Sequence, residues 1–233
     1  MPTDPTPAVR GGFDRATLED MVAPERREKV LSVLHRRLNS PAVVLEDVWD
    51  PHNIGAVLRT VEGLGLHRVF VIEANSTYEP RSQVTQGAHK WLDVRRFPSA
   101  AACVAETRAL GYRLLVTRMD APQTLYDLDW SVPTAVVMGN EKDGVTPELA
   151  ALADGTFRIP MAGFSQSFNI SVATAIIVSH AAAWLRAHPE ACRHLEGDEL
   201  SEREQDYLYL SLPVGLRDHK DGTFRGKPKK ARC

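Results

Sequence analysis

Ile159-Pro-Met-Ala-Gly-Phe-Ser-Gln-Ser-Phe-Asn-Ile-Ser-Val-Ala173 is the stretch on which the reading of this chain turns. An apolar segment over 156–159 breaks into a polar loop containing a glycine. Ser and Asn then launch a long apolar helix over 171–187. A loop at such a junction offers unpaired backbone N–H groups and short polar side chains to a ligand. Any one of these residues could be only a helix cap. Gly163, Ser165, Gln166, Ser167 and Asn169 together are more polarity than a cap requires.

Outward from this junction, strand and helix patterns alternate. β-branched or apolar runs predict strands at 42–48, 69–72, 91–97, 112–117, 134–138 and 156–159. Between them, helices are expected over 24–38, from a cap at Asn53 to glycines 63 and 65, over 99–110 with Gly111 as its stop, and from Thr146-Pro147. Residues 118–132 read as a polar loop, and a further helix is expected over 199–211. This alternation predicts an α/β fold with a mainly parallel sheet covered on both faces. Residues 1–23 read as a disordered leader, 24–187 as the domain with its basic N-terminal helix, and 188–233 as a polar helical and basic extension.

The 233 residues are 43% hydrophobic and 25% charged, ordinary for a globular protein with a real core. The three cysteines, Cys103, Cys192 and Cys233, form no CxxC pair, and the histidines show no HxxxH or HExxH spacing. Neither a disulfide framework nor a metal site is expected. A reducing, cytoplasmic setting fits, with no membrane segment expected. Net charge of −2 argues against indiscriminate nucleic-acid binding. Basic residues are nevertheless segregated, at 26–37 and again from Arg217 to Arg232, and such arms can grip phosphates.

Two further segments bear on chemistry. In Asp50-Pro-His-Asn-Ile-Gly-Ala-Val-Leu-Arg59-Thr60, Asn53 and Arg59 lie six apart and do not share one helix face. Arg59 sits between apolar neighbours, a setting that suits a partly buried guanidinium with a planar anionic partner. Gly139-Asn-Glu-Lys-Asp-Gly144 follows an expected buried strand, where open α/β sheets bind ligands. It is neither a Walker loop nor a dinucleotide fingerprint, and no GxSxG elbow occurs anywhere.

In this order the three segments resemble the signature motifs of the SPOUT methyltransferases, and within them the TrmH group. Leu45-Glu-Asp-Val, Gly87-Ala-His-Lys-Trp91 and Leu149-Ala-Leu-Ala-Asp-Gly155 add to the likeness, which runs from about residue 24 to 187. The resemblance implies transfer of a methyl group from S-adenosylmethionine to a ribose 2′-hydroxyl of tRNA, at the D-loop guanosine (position 18). It implies a catalytic centre of Asn53, Arg59, Glu141, Ser167 and Asn169. Cofactor contacts would come from Thr117, Gly139, Ile159, Met161, Ser167 and Asn169, and RNA contacts from Arg26, Lys29 and Arg37. A C-terminal trefoil knot and a homodimer are implied as well. Gly55 and Phe168 stand where the group more often has Ser and Leu. Three alternatives stand beside this reading. One is a ribosomal RNA 2′-O-methyltransferase, against which the short segment before the first strand speaks. The others are a non-catalytic RNA-binding protein and a nucleotide-cofactor oxidoreductase.

Overall fold

The computed structural model describes residues 13–75, 85, 87–213 and 216. The leader's first twelve residues and the basic run from Arg217 onward lie outside them. The chain divides into two compact units, 36–194 and a second built from 1–35 with 195–233. The basic N-terminal helix falls in the same unit as the C-terminal segment.

In the second unit, α1 (Arg15–Met21), α2 (Pro24–Leu34) and α7 (Gly197–Ser211) form a small helical cluster. α1 lies in the stretch expected to be disordered. Asp14 caps it by accepting from the Thr17 N–H at 2.8 Å, and Leu18 packs with Leu208, Tyr209 and Leu212. α2 stops at Leu34, short of the expected 38. It buries Val30 and Leu34 and leaves Val33 at the surface.

The larger unit carries a sheet of seven parallel strands. They are β1 (Ala42–Glu46), β2 (Arg68–Ile72), β3 (Asp93–Phe97), β4 (Arg113–Thr117), β5 (Gln123–Thr124), β6 (Thr134–Met138) and β7 (Gly155–Arg158). Their order is β3-β2-β1-β6-β4-β7-β5. Alternate side chains face opposite layers, as the two-residue strand period requires. Val43, Leu45, Val69, Val71 and Val136 pack under α3 (Pro51–Gly63) and α6 (Ile170–Ala187). Val44, Phe70, Leu114, Val116 and Val137 face α4 (Ala100–Ala109) and α5 (Pro147–Leu152). The expected α/β class with both faces covered is what the structure shows.

One expectation needs correction. The 118–132 segment holds β5 and a 3-10 turn at Leu125–Asp127, and it buries Leu125, Leu128 and Trp130 against the core. α6 is also long and apolar enough to cross a membrane by composition. Its Ile177, Val178, Ala181 and Leu185 are instead buried in the core.

Candidate active site

The chain leaves β1 in one direction through β2 and β3, and the remaining strands lie on its other side. The order therefore reverses between β1 and β6, and crevices outside the carboxyl ends of such a pair are where open α/β sheets bind ligands. Four of the six sequence-predicted cofactor residues stand at this edge. Thr117 ends β4, Gly139 follows β6, and Ile159 and Met161 follow β7, with β6, β4 and β7 adjacent in the sheet.

α3 starts differently from the expectation. Asp50 is its cap, accepting from the His52 N–H at 2.8 Å, and Pro51 fills the first helical position. Asn53 thus lies inside the first turn, and its amide is free to reach outward. Its Nδ2 donates to Glu141 Oε1 at 2.8 Å, and its Oδ1 accepts from Asn169 Nδ2 at 3.0 Å. Asn169 in turn caps α6, its Oδ1 accepting from Ser171 N at 2.9 Å and Ser171 Oγ at 2.6 Å. One polar chain, Glu141–Asn53–Asn169–Ser171, joins all three sequence motifs.

The 139–146 loop is tightly closed. Asn140 and Gly144 exchange two backbone hydrogen bonds of 3.1 Å, and Asn140 Oδ1 accepts from the N–H groups of Lys142 and Asp143. Gly144 turns the chain at φ +71°. Gly139 is required by contact, since a Cβ there would sit 2.0 Å from the Gly144 carbonyl carbon. Thr117 Oγ1 donates to the Val137 carbonyl at 3.0 Å, tying β4 to β6 just below the loop.

Two residues that sequence reasoning did not assign to the site, Glu46 and Thr146, also meet here. Glu46 accepts from Thr146 N at 2.8 Å and from Thr146 Oγ1 at 2.5 Å. Burial pushes the Glu46 carboxyl above its ordinary range, against the opposing pull of the Thr146 hydrogen bonds. The nearby carboxylates Asp47 and Glu148 add to the upward shift. In the sequence Glu46 stood only inside the Leu45-Glu-Asp-Val match and Thr146 only as a helix cap, neither with a role at the site.

Residues 162–169, Ser167 among them, form an exposed run above β7. A Cβ on Gly163 would meet nothing within 4 Å. Arg59 is not partly buried as expected. It is exposed, and it lines an open groove of about 530 Å³ with Thr60, Gly63, Leu64, Ile176 and Ser179, on the α3–α6 face. No hydrogen bond between Arg59 and the Asn53 chain is found among the described residues.

The expected RNA contacts divide. Arg26 and Lys29 are exposed on α2. Arg37 is 1% exposed, donating to the Leu66 carbonyl at 2.6 Å and pairing with Glu62 at 2.7 Å. Its guanidinium is committed to the fold and is not presented to a phosphate. The helix ends at Leu34, so Arg37 lies beyond the N-terminal helix on which the resemblance placed it.

Residues 40–179 match the model of the SpoU rRNA methylase family. The chain belongs to that family. The tRNA (guanosine(18)-2′-O)-methyltransferase of Escherichia coli K12 is 34% identical to this SpoU-family chain over 187 residues, 79% of this chain and 80% of the relative. A crystal structure of the Aquifex aeolicus TrmH/SpoU tRNA modifying enzyme superposes with a TM-score of 0.73 at 27% identity, over 81% of this chain and 98% of the other. The SpoU methyltransferase AviRb from Streptomyces viridochromogenes, in complex with AdoMet, superposes with a TM-score of 0.59 at 29% identity, over 67% of this chain and 62% of the other. S-adenosylmethionine is the methyl donor of such enzymes. The edge described here suits it: half-buried Ile159 and Met161 offer apolar flanks, and beside them stand a glycine that allows close backbone approach and an exposed polar loop.

Proposed function

We propose that this chain transfers a methyl group from S-adenosylmethionine to the 2′-hydroxyl of a tRNA guanosine, at position 18 of the D-loop. The observation that carries the reading is the hydrogen-bonded chain Glu141–Asn53–Asn169, which links the three motifs across the β1–β6 crevice. Likeness to a tRNA guanosine-18 enzyme along four-fifths of both chains supports the substrate.

The bound cofactor supplies a methyl group already activated on a sulfonium, so the protein's task is positioning. Alignment of this kind is worth roughly 7–11 kcal/mol of barrier. Thr117, Gly139, Ile159 and Met161 hold the cofactor at the strand ends, with Ser167 and Asn169 at the mouth of α6. Asn53 and Glu141 keep the α3 and β6 segments in register. Arg59 binds the RNA phosphate beside the target ribose and stabilises negative charge developing on the 2′-oxygen. A guanidinium offers only hydrogen-bond donors. It therefore serves as an electrostatic clamp, and the hydroxyl proton moves toward the phosphate.

The groove beside Arg59 is covered by a second copy in a homodimer. Exposed Phe164, Phe168 and Val172 support that reading, as apolar side chains on an otherwise polar segment. The C-terminal trefoil knot of the family and a cytoplasmic location complete it. Arg26 and Lys29 supply phosphate contacts from α2.

The test is incubation with methyl-labelled S-adenosylmethionine and unmodified total tRNA, beside ribosomal RNA and an Arg59→Ala variant. Nucleoside mass spectrometry then locates the label. The expected product is 2′-O-methylguanosine in tRNA, lost with Arg59→Ala. Label confined to ribosomal RNA would overturn the substrate, and label in neither RNA would overturn the activity.

A further inference from the structure

We propose that Glu46 is the positioning residue of the cofactor loop: from the end of β1 it grips Thr146 through two hydrogen bonds and fixes the 139–146 segment against which S-adenosylmethionine is held. The inference rests on the reading that this segment is part of the cofactor site.

Strand register places the carboxylate there. Leu45 pairs with Met138, so the next residue on each strand, Glu46 and Gly139, stand level where the β1–β6 ladder ends. Beyond that point the two chains diverge, β1 toward α3 and β6 into the loop, and no further backbone pairing joins them. Side chains take over. Glu46 takes both the N–H and the hydroxyl of Thr146, at 2.8 and 2.5 Å. The same Thr146 hydroxyl accepts from Leu149 N at 3.2 Å and so caps α5. Thr146 thereby couples the loop's far end to α5 and to β1 at once. Asn53–Glu141 ties the loop's middle to α3, so the two links share the work of holding 139–146 in place.

The choice of residue argues for function over mere stability. Glu46 is 2% exposed and has no ion-pair partner among the described residues, while Asp47 and Glu148 are close enough to oppose its charge. A buried carboxylate without a cation is costly. What it offers is two acceptor oxygens on one rigid fork, able to meet an amide and a hydroxyl together. A glutamine keeps the shape but turns one acceptor into a donor.

The experiment uses the full chain. In Glu46→Gln, calorimetric titration with S-adenosylmethionine should show affinity about tenfold weaker. The melting temperature without cofactor should stay at or above wild type, and turnover at saturating cofactor should hold while its KM rises. Hydrogen exchange of the cofactor-free protein should quicken over 139–146 and not in the β1–β2 core. Thr146→Val should weaken cofactor binding similarly, Thr146→Ser should restore it, and the Glu46→Gln/Thr146→Val double variant should be no worse than either single one. Wild-type affinity in Glu46→Gln overturns the proposal. So does a large fall in melting temperature that parallels the lost affinity, which would mark Glu46 as a scaffold residue only. Hydrogen exchange of the wild type with and without cofactor separates the two levels. If cofactor leaves 139–146 unprotected, the cofactor-site reading itself fails. If it protects them and Glu46→Gln binds normally, only the role of Glu46 fails.

Discussion

Asp50 and Asn53 stand three residues apart at the start of one helix, and the structure gives them different work. Asp50 is the cap, and its loss in Asp50→Ala should cost about 1 kcal/mol of stability. For a chain of this size that lowers the melting temperature by roughly 2–4 °C. Asn53 lies inside the turn, where alanine is a better helix former, so Asn53→Ala should leave melting nearly unchanged. It does remove a bond to the Glu141 carboxylate and one from Asn169. Water can replace both bonds at this half-exposed site, so stability changes little and the loss falls on the alignment of the three motifs. An alignment loss of about 1.4 kcal/mol slows methyl transfer about tenfold, the effect expected here. Asn53→Asp should be slower still, since it sets a second carboxylate against Glu141. The assays are thermal unfolding and initial rates with labelled S-adenosylmethionine and tRNA. An Asn53→Ala protein that melts as low as Asp50→Ala and methylates at the wild-type rate would refute this division and return Asn53 to the role of a cap.

Gly139→Ala should abolish cofactor binding measured by titration, because its Cβ would meet the loop backbone at 2.0 Å, whereas Gly163→Ala should melt like wild type; equal behaviour of the two would count against the loop geometry. Arg37→Ala should destabilise the fold by on the order of 3 kcal/mol in urea unfolding, since it strands Glu62 and the Leu66 carbonyl. Arg26→Ala and Lys29→Ala should instead leave stability alone and flatten the salt dependence of tRNA binding. The Cys103 thiol, pushed up to about 12 by burial with Glu106 and Glu46 nearby, should stay unlabelled by a thiol reagent at pH 8 until the protein unfolds. Glu46 carries a pH signature as well. Burial raises its carboxyl above the ordinary 4.5, so its stabilising contribution is complete below that value and is lost as pH rises through the raised one. Urea unfolding should therefore show Glu46→Gln gaining on wild type from pH 4.5 toward neutrality, and parallel pH curves would contradict the assignment.

Much of the fold was legible because its signals are local. Short apolar or β-branched runs gave six of the strands, Gly111 stopped α4 at φ +80°, and Thr146-Pro147 opened α5 as read. β5 escaped because a two-residue strand is shorter than any alternation pattern, and its partner β7 lies more than 30 residues away. α1 escaped because its seven residues bury little besides Leu18, and its packing partners come from α7, almost two hundred residues on. The cap of α3 was legible and was misread. Asp50 and Asn53 both suit a cap, but Pro51 prefers the first helical position, which puts the cap one residue earlier, at Asp50. Arg37 misled for another reason. The likeness put it on a basic helix expected over 24–38, and only the end of α2 at Leu34 removes it from that helix.

The site residues share one physical cause for being half-hidden in sequence. Parallel strands are joined by backbone ladders whose pattern is written in apolar runs, and those ladders end at the β1–β6 switch point. There the fold continues its pairing with side chains, Glu46 to Thr146 and Asn53 to Glu141. Each pair joins residues 88 to 100 positions apart, so neither partner's local context announces the other. Motif likeness found Asn53 and Glu141 because they lie in the polar segments. It included Glu46 in Leu45-Glu-Asp-Val but gave it no role, because its strand is buried at every position and reads as core. The consequence is a separation of effects along a single strand. Substitutions at Val43 or Leu45 should act through packing and lower stability first. One residue further, at Glu46, substitution should change how the cofactor loop is held before it changes whether the chain folds.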